Sequence, residues 1–325
     1  MKAAVIAGPG QTPVYTDFSE PVAGAGEERI TVCASALSHF SKSRSAGSHY
    51  SSEQVFPAVA GADGVGRTAD GRRVYFALPE APYGALGEVC VVRAERCVAV
   101  PDEVDDVMAA AIANPGMSAW AGLVERARLQ PGETVLVHGA TGTAGRIAVQ
   151  LAKYLGAAKV IATGRNIVEL EEVKGLGADV VIPFRLDDAH PEGAKELERA
   201  LVEQFEGGID VVIDYLWGES AKAVIVAIAK GVEDARPVRF VHVGGMSGEG
   251  SIELPGAALR SSAIVLMGSG VKSVPMSVLL DSVWQIYAAV APAGLKIATK
   301  AVPLAAIASH WEDGAGKPRL VFTMG

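Results

Sequence analysis

The sequence predicts an α/β fold in two parts, a β-rich segment followed by a doubly wound parallel sheet. Three observations carry this. Between Glu133 and Gly164 an apolar run, a glycine turn, a helical stretch and a second apolar run follow one another. Beyond residue 114 short apolar runs alternate with helical patterns, as a parallel sheet requires. The first hundred residues hold only short β-like runs separated by turn signals.

In chain order, the β-like runs of the first part are Met1–Ala7, Arg29–Ala34, Val65–Thr68, Arg73–Phe76, Gly87–Arg93 and Cys97–Val100, with Pro9-Gly10 and Asp70-Gly71 among the turns between them. Pro101 to Ala113 reads as a helix with Val104, Val107, Met108, Ala111 and Ile112 along one face. Pro115-Gly116 is expected to interrupt it, and Ser118 to Ala127 to resume as a second helix. Strands are then expected at Thr134–His138, Lys159–Thr163, Val180–Ile182, Asp210–Ile213, Val238–Val243 and Ala263–Met267. Glu169–Leu176, Ala194–Phe205, Glu219–Lys230 and Val278–Val290 read as helices. The tail ends in a short β run, Arg319–Phe322, expected to return to the first part.

The mid-chain unit is the most informative. Thr134 to His138 forms the first strand. The turn is Gly139-Ala140-Thr141-Gly142-Thr143-Ala144-Gly145, and Ile147, Ala148, Leu151, Ala152 and Leu155 recur at helical spacing behind it. Such a turn delivers backbone N–H groups and the positive helix end to a diphosphate, so it is the candidate dinucleotide site. Against the G-x-G-x-x-G pattern, Ala140 holds the first position and Gly142 and Gly145 the others. Gly142 would let the diphosphate approach the backbone, and Gly145 would let helix and strand pack closely. A glycine-rich turn in an ordinary βαβ unit is the plain alternative. About twenty residues on, where an acid would bind the ribose of NAD, the chain has Gly164-Arg165-Asn166 and no carboxylate before Glu169. A guanidinium there pairs with a 2′-phosphate, which argues for NADPH. The alternative for Arg165 is a solvated side chain at a strand end.

Composition bounds the rest. The chain has 325 residues, enough for two domains, and half of them are apolar. A net charge of -8 gives no basic footprint for nucleic acid. Cys33, Cys90 and Cys97 form no C-x-x-C pair and no disulfide framework. The N-terminal apolar run is too short for a signal peptide, and no uninterrupted apolar stretch of about 18 residues suggests a membrane span. The expectation is a cytoplasmic protein with no nucleic-acid or membrane partner.

These features together resemble the medium-chain dehydrogenase/reductase superfamily, specifically its zinc-free quinone oxidoreductase branch. The likeness rests on the Val135–Gly145 turn, Leu176-Gly177-Ala178-Asp179, Asp210-Val211-Val212-Ile213-Asp214 and the terminal Gly316-Lys317-Pro318-Arg319-Leu320-Val321. It implies a GroES-like β-rich catalytic domain, residues 1–113 completed by about 291–325, and a Rossmann NADPH-binding domain, residues 114–290. It also implies NADPH bound in the cleft between the domains, and a homodimer through the edge at the sixth strand. Short-chain dehydrogenases share the look of the turn but carry it near the N-terminus, with Tyr and Lys four apart, and none of the seven tyrosines here has Lys at that distance.

Zinc-dependent members of the family would carry a Cys near residue 38, Gly-His-Glu near residue 61 and a four-cysteine lobe near residue 90. Here the chain reads Leu37-Ser38-His39-Phe40-Ser41 and Gly61-Ala62-Asp63, and the lobe is missing. A catalytic zinc needs three protein ligands, and His39 with Asp63 supply at most two, so no metal is expected. His39 then reads as a pocket or surface residue. Without a Lewis acid, the expected chemistry is hydride reduction of quinones or α,β-unsaturated carbonyls, whose products can take a proton from water.

For the pocket, the resemblance implies an Asn-x-x-Asp pair where this chain has Ser38 and Ser41, a departure that changes the pocket's polarity. Ser38, His39 and Ser41 remain candidate hydrogen-bond donors. Tyr50 falls near the tyrosine that enoyl reductases of the superfamily place beside the substrate, and otherwise reads as a loop aromatic. Ser118 matches a hydroxyl that relatives use against the nicotinamide carboxamide, or it caps a helix. Arg185, after Phe184, is a second 2′-phosphate candidate by the same resemblance. Gly244, Gly245, Gly268 and Ser269 end the fifth and sixth strands of the sheet, where ligands of doubly wound sheets bind. Two further readings stay open: a crystallin-like or redox-sensing protein that binds NADPH without turnover, and an alcohol dehydrogenase.

Overall fold

A computed structural model describes residues 1–49, 52, 55–313 and 318–325. They fall into two compact units, Met1–Met117 with Met276–Gly325, and Ser118–Pro275. Tyr50, Gly316 and Lys317 lie outside the described residues.

The first unit opens with β1 (Lys2–Ile6), β2 (Val14–Asp17), β3 (Glu27–Ala36) and the short helix α1 (His39–Ser45). β4 (Ala58–Val59), β5 (Asp63–Arg67), β6 (Arg73–Ala77), β7 (Val89–Arg93) and β8 (Cys97–Ala99) follow, and then the helix α2 (Asp106–Trp120). β1 lies between β2 and β4 in a small antiparallel sheet. β2 and β4 escape the sequence pattern because all of Val14–Asp17 is exposed and Ala58–Val59 is only two residues long. Neither shows the one-sided alternation that marks a half-buried strand.

α2 runs straight through Pro115 and Gly116, contrary to the expected interruption. Proline withholds one intrahelical hydrogen bond, a loss that this 15-residue helix tolerates, and the helix passes on into a wider π-helical stretch, Ala121–Arg126. Gly116 serves packing instead of ending the helix: a Cβ there would lie 2.8 Å from the Ile286 side chain. The whole helical stretch Asp106–Arg126 is long and apolar enough to cross a membrane, but 61% of its most apolar window is buried inside the protein, which accounts for its composition.

The second unit holds β9 (Thr134–His138), α3 (Thr143–Tyr154), β10 (Lys159–Gly164), α4 (Ile167–Lys174), β11 (Val180–Pro183) and α5 (Gly193–Phe205). β12 (Val211–Asp214), α6 (Gly218–Gly231), β13 (Pro237–His242), α7 (Gly256–Arg260) and β14 (Ala263–Gly268) complete it. All six strands are parallel, in the order β11-β10-β9-β12-β13-β14. This is the Rossmann arrangement, with the order reversing between β9 and β12. Leu136, Ile161, Val212 and Phe240 share one core with Leu197, Leu201 and Phe205 of α5 and Val224 and Ile228 of α6. Because side chains alternate along a strand, His138, Thr163, Asp214 and His242 project from the same face two residues later.

The chain then returns to the first unit through α8 (Met276–Val290), β15 (Thr299–Pro303) and β16 (Arg319–Thr323). α8 was expected in the nucleotide domain. It belongs to the first unit because its buried face packs there, with the Tyr287 hydroxyl donating to the Ala109 carbonyl at 3.2 Å. β16 pairs with β3, and β15 with β16, in the larger GroES-like sheet β15-β16-β3-β5-β6-β8, with β7 also on β3.

Candidate functional site

The turn after β9 is built around close backbone contacts. Gly139 has φ +87°, and a Cβ there would lie 2.9 Å from Leu216 Cγ. A Cβ at Gly145 would lie 2.5 Å from the Gly139 carbonyl oxygen and 2.7 Å from Ala140 Cα, so only glycine lets α3 sit on the turn. Gly164 does the same for the end of β10, where a Cβ would meet the Thr141 methyl at 2.6 Å. Gly142 is different. It caps α3 with ordinary φ −70°, and its nearest neighbour lies at 3.7 Å, so packing does not require glycine there.

The same end of α3 has unspent donors. No side chain caps its N-terminus. Thr143 Oγ1 is buried without a hydrogen-bond partner among the described residues. Ala140 is fully buried, its N–H donating to the Thr163 carbonyl, so it shapes the turn from beneath. Arg146, in the first turn of α3, is held by Glu172 at 2.6 Å and donates to the Thr141 carbonyl at 3.2 Å. It brings a cation to this turn. An orphan hydroxyl, free helix amides and an open glycine fit a diphosphate.

Arg165 follows β10 directly and is exposed, and its side chain makes no ion pair or hydrogen bond among the described residues. Asn166 caps α4, its side chain accepting from Val168 N at 3.0 Å and Glu169 N at 3.4 Å. That is a structural duty that its place in the cofactor motif had obscured. Gly164 and Pro183 are register partners, so Arg165 and Arg185 follow neighbouring strand ends. Two exposed cations thus stand side by side at neighbouring strand ends.

On the other side of the reversal point, Gly244 N donates to the Asp214 carbonyl at 3.3 Å and Ser269 N to the His242 carbonyl at 2.8 Å. The Gly268 carbonyl accepts from Arg126 Nε at 2.8 Å. Gly245 and Gly268 have no heavy atom within reach of a Cβ, so both carbon positions are open. Ser118 lies inside α2 and caps nothing. It stands beside the buried Tyr215 phenol: burial pushes that phenol up, and Ser118 pulls the other way.

Sequence reasoning missed a polar layer at this edge. Register pairs His138 with Asp214 and Asp214 with His242, across the reversal point between β9 and β12. Asp214, fully buried, accepts from Leu216 N at 3.0 Å, Trp217 N at 3.2 Å and His242 Nδ1 at 2.8 Å. The Trp217 ring packs on His242 with centroids 4.5 Å apart. A signal did exist. Val-Leu-Val-His and Val-Val-Ile-Asp each end an apolar strand on a polar residue.

In the first unit, Ser38 caps α1 by accepting from Ser41 N at 2.9 Å, and its hydroxyl donates to Ser41 Oγ at 2.9 Å. Both serines are buried, so Ser38 spends its hydrogen-bonding capacity internally. His39 is exposed at the first position of α1. Desolvation, then Lys42 and Arg319, lower its pKa, which favours a neutral imidazole. Asp63 is buried, its pKa pushed up to about 6 by desolvation against the opposing pull of Arg319 and the Tyr75 hydroxyl, which donates at 3.2 Å. Asp63 Oδ1 and Arg319 Nε and Nη2 are buried without partners among the described residues. No three His, Cys, Asp or Glu side chains converge as metal ligands among the described residues.

Comparison with known proteins agrees with this architecture. The family model described as zinc-binding dehydrogenase matches residues 144–278, which lie almost wholly in the second unit. A probable NADPH-dependent quinone reductase of Emericella nidulans is 32% identical over 244 residues, 72% of this chain and 64% of that protein. A mycobacterial protein solved in complex with NADPH superposes with TM-score 0.82 at 23% identity, over 99% of this chain and 100% of that one. These matches support the medium-chain dehydrogenase/reductase superfamily and, within it, the quinone-reductase-like branch. A solved NAD-dependent alcohol dehydrogenase of the same fold matches at 25% identity and TM-score 0.80, over the full length of both chains. The chain spans 64% of the length of the Emericella relative and 8% of a Mycobacterium tuberculosis polyketide synthase subunit that also matches.

Proposed function

We propose that this member of the superfamily binds NADPH at the Gly139–Gly145 turn and reduces quinones or α,β-unsaturated carbonyls by hydride transfer without zinc. The turn carries the reading. Gly142 is open where packing demands no glycine, while Thr143 Oγ1 is buried without a partner and no side chain caps α3. A diphosphate supplies acceptors for these donors. Arg165 and Arg185 favour a cofactor with a 2′-phosphate.

When bound, the nicotinamide supplies the hydride. Arg146, oriented by Glu172, adds positive charge to the first turn of α3. The neutral, exposed His39 is the donor that the first unit offers to a substrate oxygen. An enolate or hydroquinone can take its proton from water, so no strong acid is required. Zinc independence rests on the donor set, since Asp63 is engaged by Tyr75 and the positions where zinc-dependent relatives would carry Cys and His hold Ser38 and Ala62. The same reading proposes a homodimer through β14, the outer strand of the six-stranded sheet, where Val265 and Leu266 are exposed.

The test is NADPH oxidation with a panel of quinones and enones, with and without chelator. Turnover unaffected by chelator is expected, and loss on metal removal with recovery on adding zinc would reverse the zinc reading. Arg165→Glu is expected to weaken NADPH about tenfold or more with little change for NADH. Equal weakening of both cofactors would make Arg165 structural. One observation favours a second reading, an NADPH-binding protein without turnover: Ser38 accepts from Ser41 N and donates to Ser41 Oγ, so its hydroxyl is withdrawn from a substrate. Tight NADPH binding with no acceptor reduced across the panel would select it.

A further inference from the structure

We propose that His138 is a positioning residue that sets the diphosphate turn, acting through Thr163 on Gly139 and through Ser220 on the strained loop at Trp217. The proposal rests on the dinucleotide reading above.

The hydrogen bonds run in one direction. Gly139 N donates to Thr163 Oγ1 at 3.4 Å, so one Thr163 lone pair is taken and its hydrogen is available to His138 Nδ1 at 2.6 Å. Ser220 Oγ donates to the Trp217 carbonyl at 3.2 Å, so it accepts from His138 Nε2–H at 2.9 Å. This polarity satisfies both hydroxyl hydrogens and specifies one tautomer, a neutral imidazole with its proton on Nε2. The opposite polarity takes the Ser220 hydrogen from the Trp217 carbonyl and deprives Thr163 of this acceptor. His138 is fully buried and stacked on Phe184, with ring centroids 5.5 Å apart. Burial lowers its pKa, with Asp214 opposing, in keeping with the neutral form.

Both ends of the chain of bonds meet above the turn. Trp217 has φ +63° and ψ −161°, a strained region that residues other than glycine rarely occupy. Such a conformation persists only where the surroundings over-determine it. Here Asp214 accepts from the Leu216 and Trp217 amides, and Ser220 holds the Trp217 carbonyl. The loop thereby presses Leu216 against Gly139, the first residue of the turn. Tyr215 N also donates to the His138 carbonyl at 3.0 Å. His138 therefore joins the turn to the loop packed against Gly139.

The experiment compares Thr163→Val, Thr163→Ser, Ser220→Ala and His138→Gln with wild type. Affinity is measured for NADPH and for adenosine 2′-phosphate, which has the 2′-phosphate but no diphosphate. Thr163→Val and Ser220→Ala are expected to weaken NADPH by about three- to tenfold, the worth of one hydrogen bond, while adenosine 2′-phosphate binds as in wild type. Thr163→Ser, which keeps the hydroxyl, should stay within about twofold of wild type, as should His138→Gln, whose amide can both donate and accept. Equal losses for both ligands would reveal a general structural role and overturn the proposal, as would no loss for either. A wild type that binds NADPH nowhere overturns the dinucleotide reading itself and the proposal with it.

Discussion

The two units each bury a polar cluster, and the clusters are built in opposite ways. Around His138 the network is neutral, and both ring nitrogens and both neighbouring hydroxyls have partners. Around Asp63 the network is charged and incomplete, with Asp63 Oδ1, Arg319 Nε and Arg319 Nη2 lacking hydrogen-bond partners among the described residues. The difference teaches what each is suited to. A saturated neutral network holds a backbone in one shape. An unsaturated charged one makes stability responsive to pH and to the loss of either partner.

The strongest way to break the comparison is to remove one charge. Arg319→Met leaves Asp63 buried without a cation and is expected to cost about 3 kcal/mol or more in chemical denaturation at neutral pH. Replacing both, as Asp63→Asn with Arg319→Met, should cost less than the sum of the single losses. Strict additivity would show that the two groups do not interact.

Stability against pH sharpens the contrast, because the clusters slope in opposite directions. Asp63 has its folded pKa raised from 3.8 to about 6, so between those values the folded state holds more protons. Its contribution is present at low pH and is lost as pH rises through about 6, worth about 3 kcal/mol in all. His138 has its folded pKa lowered from 6.5, so the unfolded state binds more protons below that value, and stability falls as the solution is acidified. Asp63→Asn should remove the first slope and His138→Gln the second. Unfolding free energies measured from pH 4 to 8 check both, and a slope surviving its own substitution contradicts the assignment.

The smallest expected effects separate two glycines of one turn. Gly145→Ala forces a Cβ onto backbone atoms and is expected to destabilise the free protein by about 1–3 kcal/mol. Gly142→Ala has room for its methyl group, so it should leave the free protein's melting temperature nearly unchanged while weakening NADPH. Equal effects of the two on the free protein would remove the reason for assigning Gly142 to the ligand.

Much of the nucleotide unit was legible because its signals are local. A buried parallel strand is a continuous apolar run, and a glycine turn followed by helical spacing marks the candidate diphosphate turn within about twenty residues. The first unit was less legible. β2 is exposed along its length, β4 has two residues, and α1 is a helix of seven residues started by the Ser38 cap. Ser38 and Ser41 looked like substrate donors because their residue type allows it. That they face each other depends on the φ/ψ of one cap, which the sequence does not display. Pro115 was misjudged for a related reason, since the burial of its helix outweighed its tendency to end one.

Sequence alone therefore determined the succession of the six parallel strands, the turn at Gly139–Gly145 and the cations after two strand ends. Each of these follows from periodicity, glycine placement or residue charge within a short window. Tertiary structure alone decided that α8 belongs with the first unit, that Gly145 and not Gly142 is demanded by packing, and that His138, Asp214 and His242 stand in one row. Those are relations between residues tens of positions apart, and they exist only once parallel pairing brings separate strand ends into register.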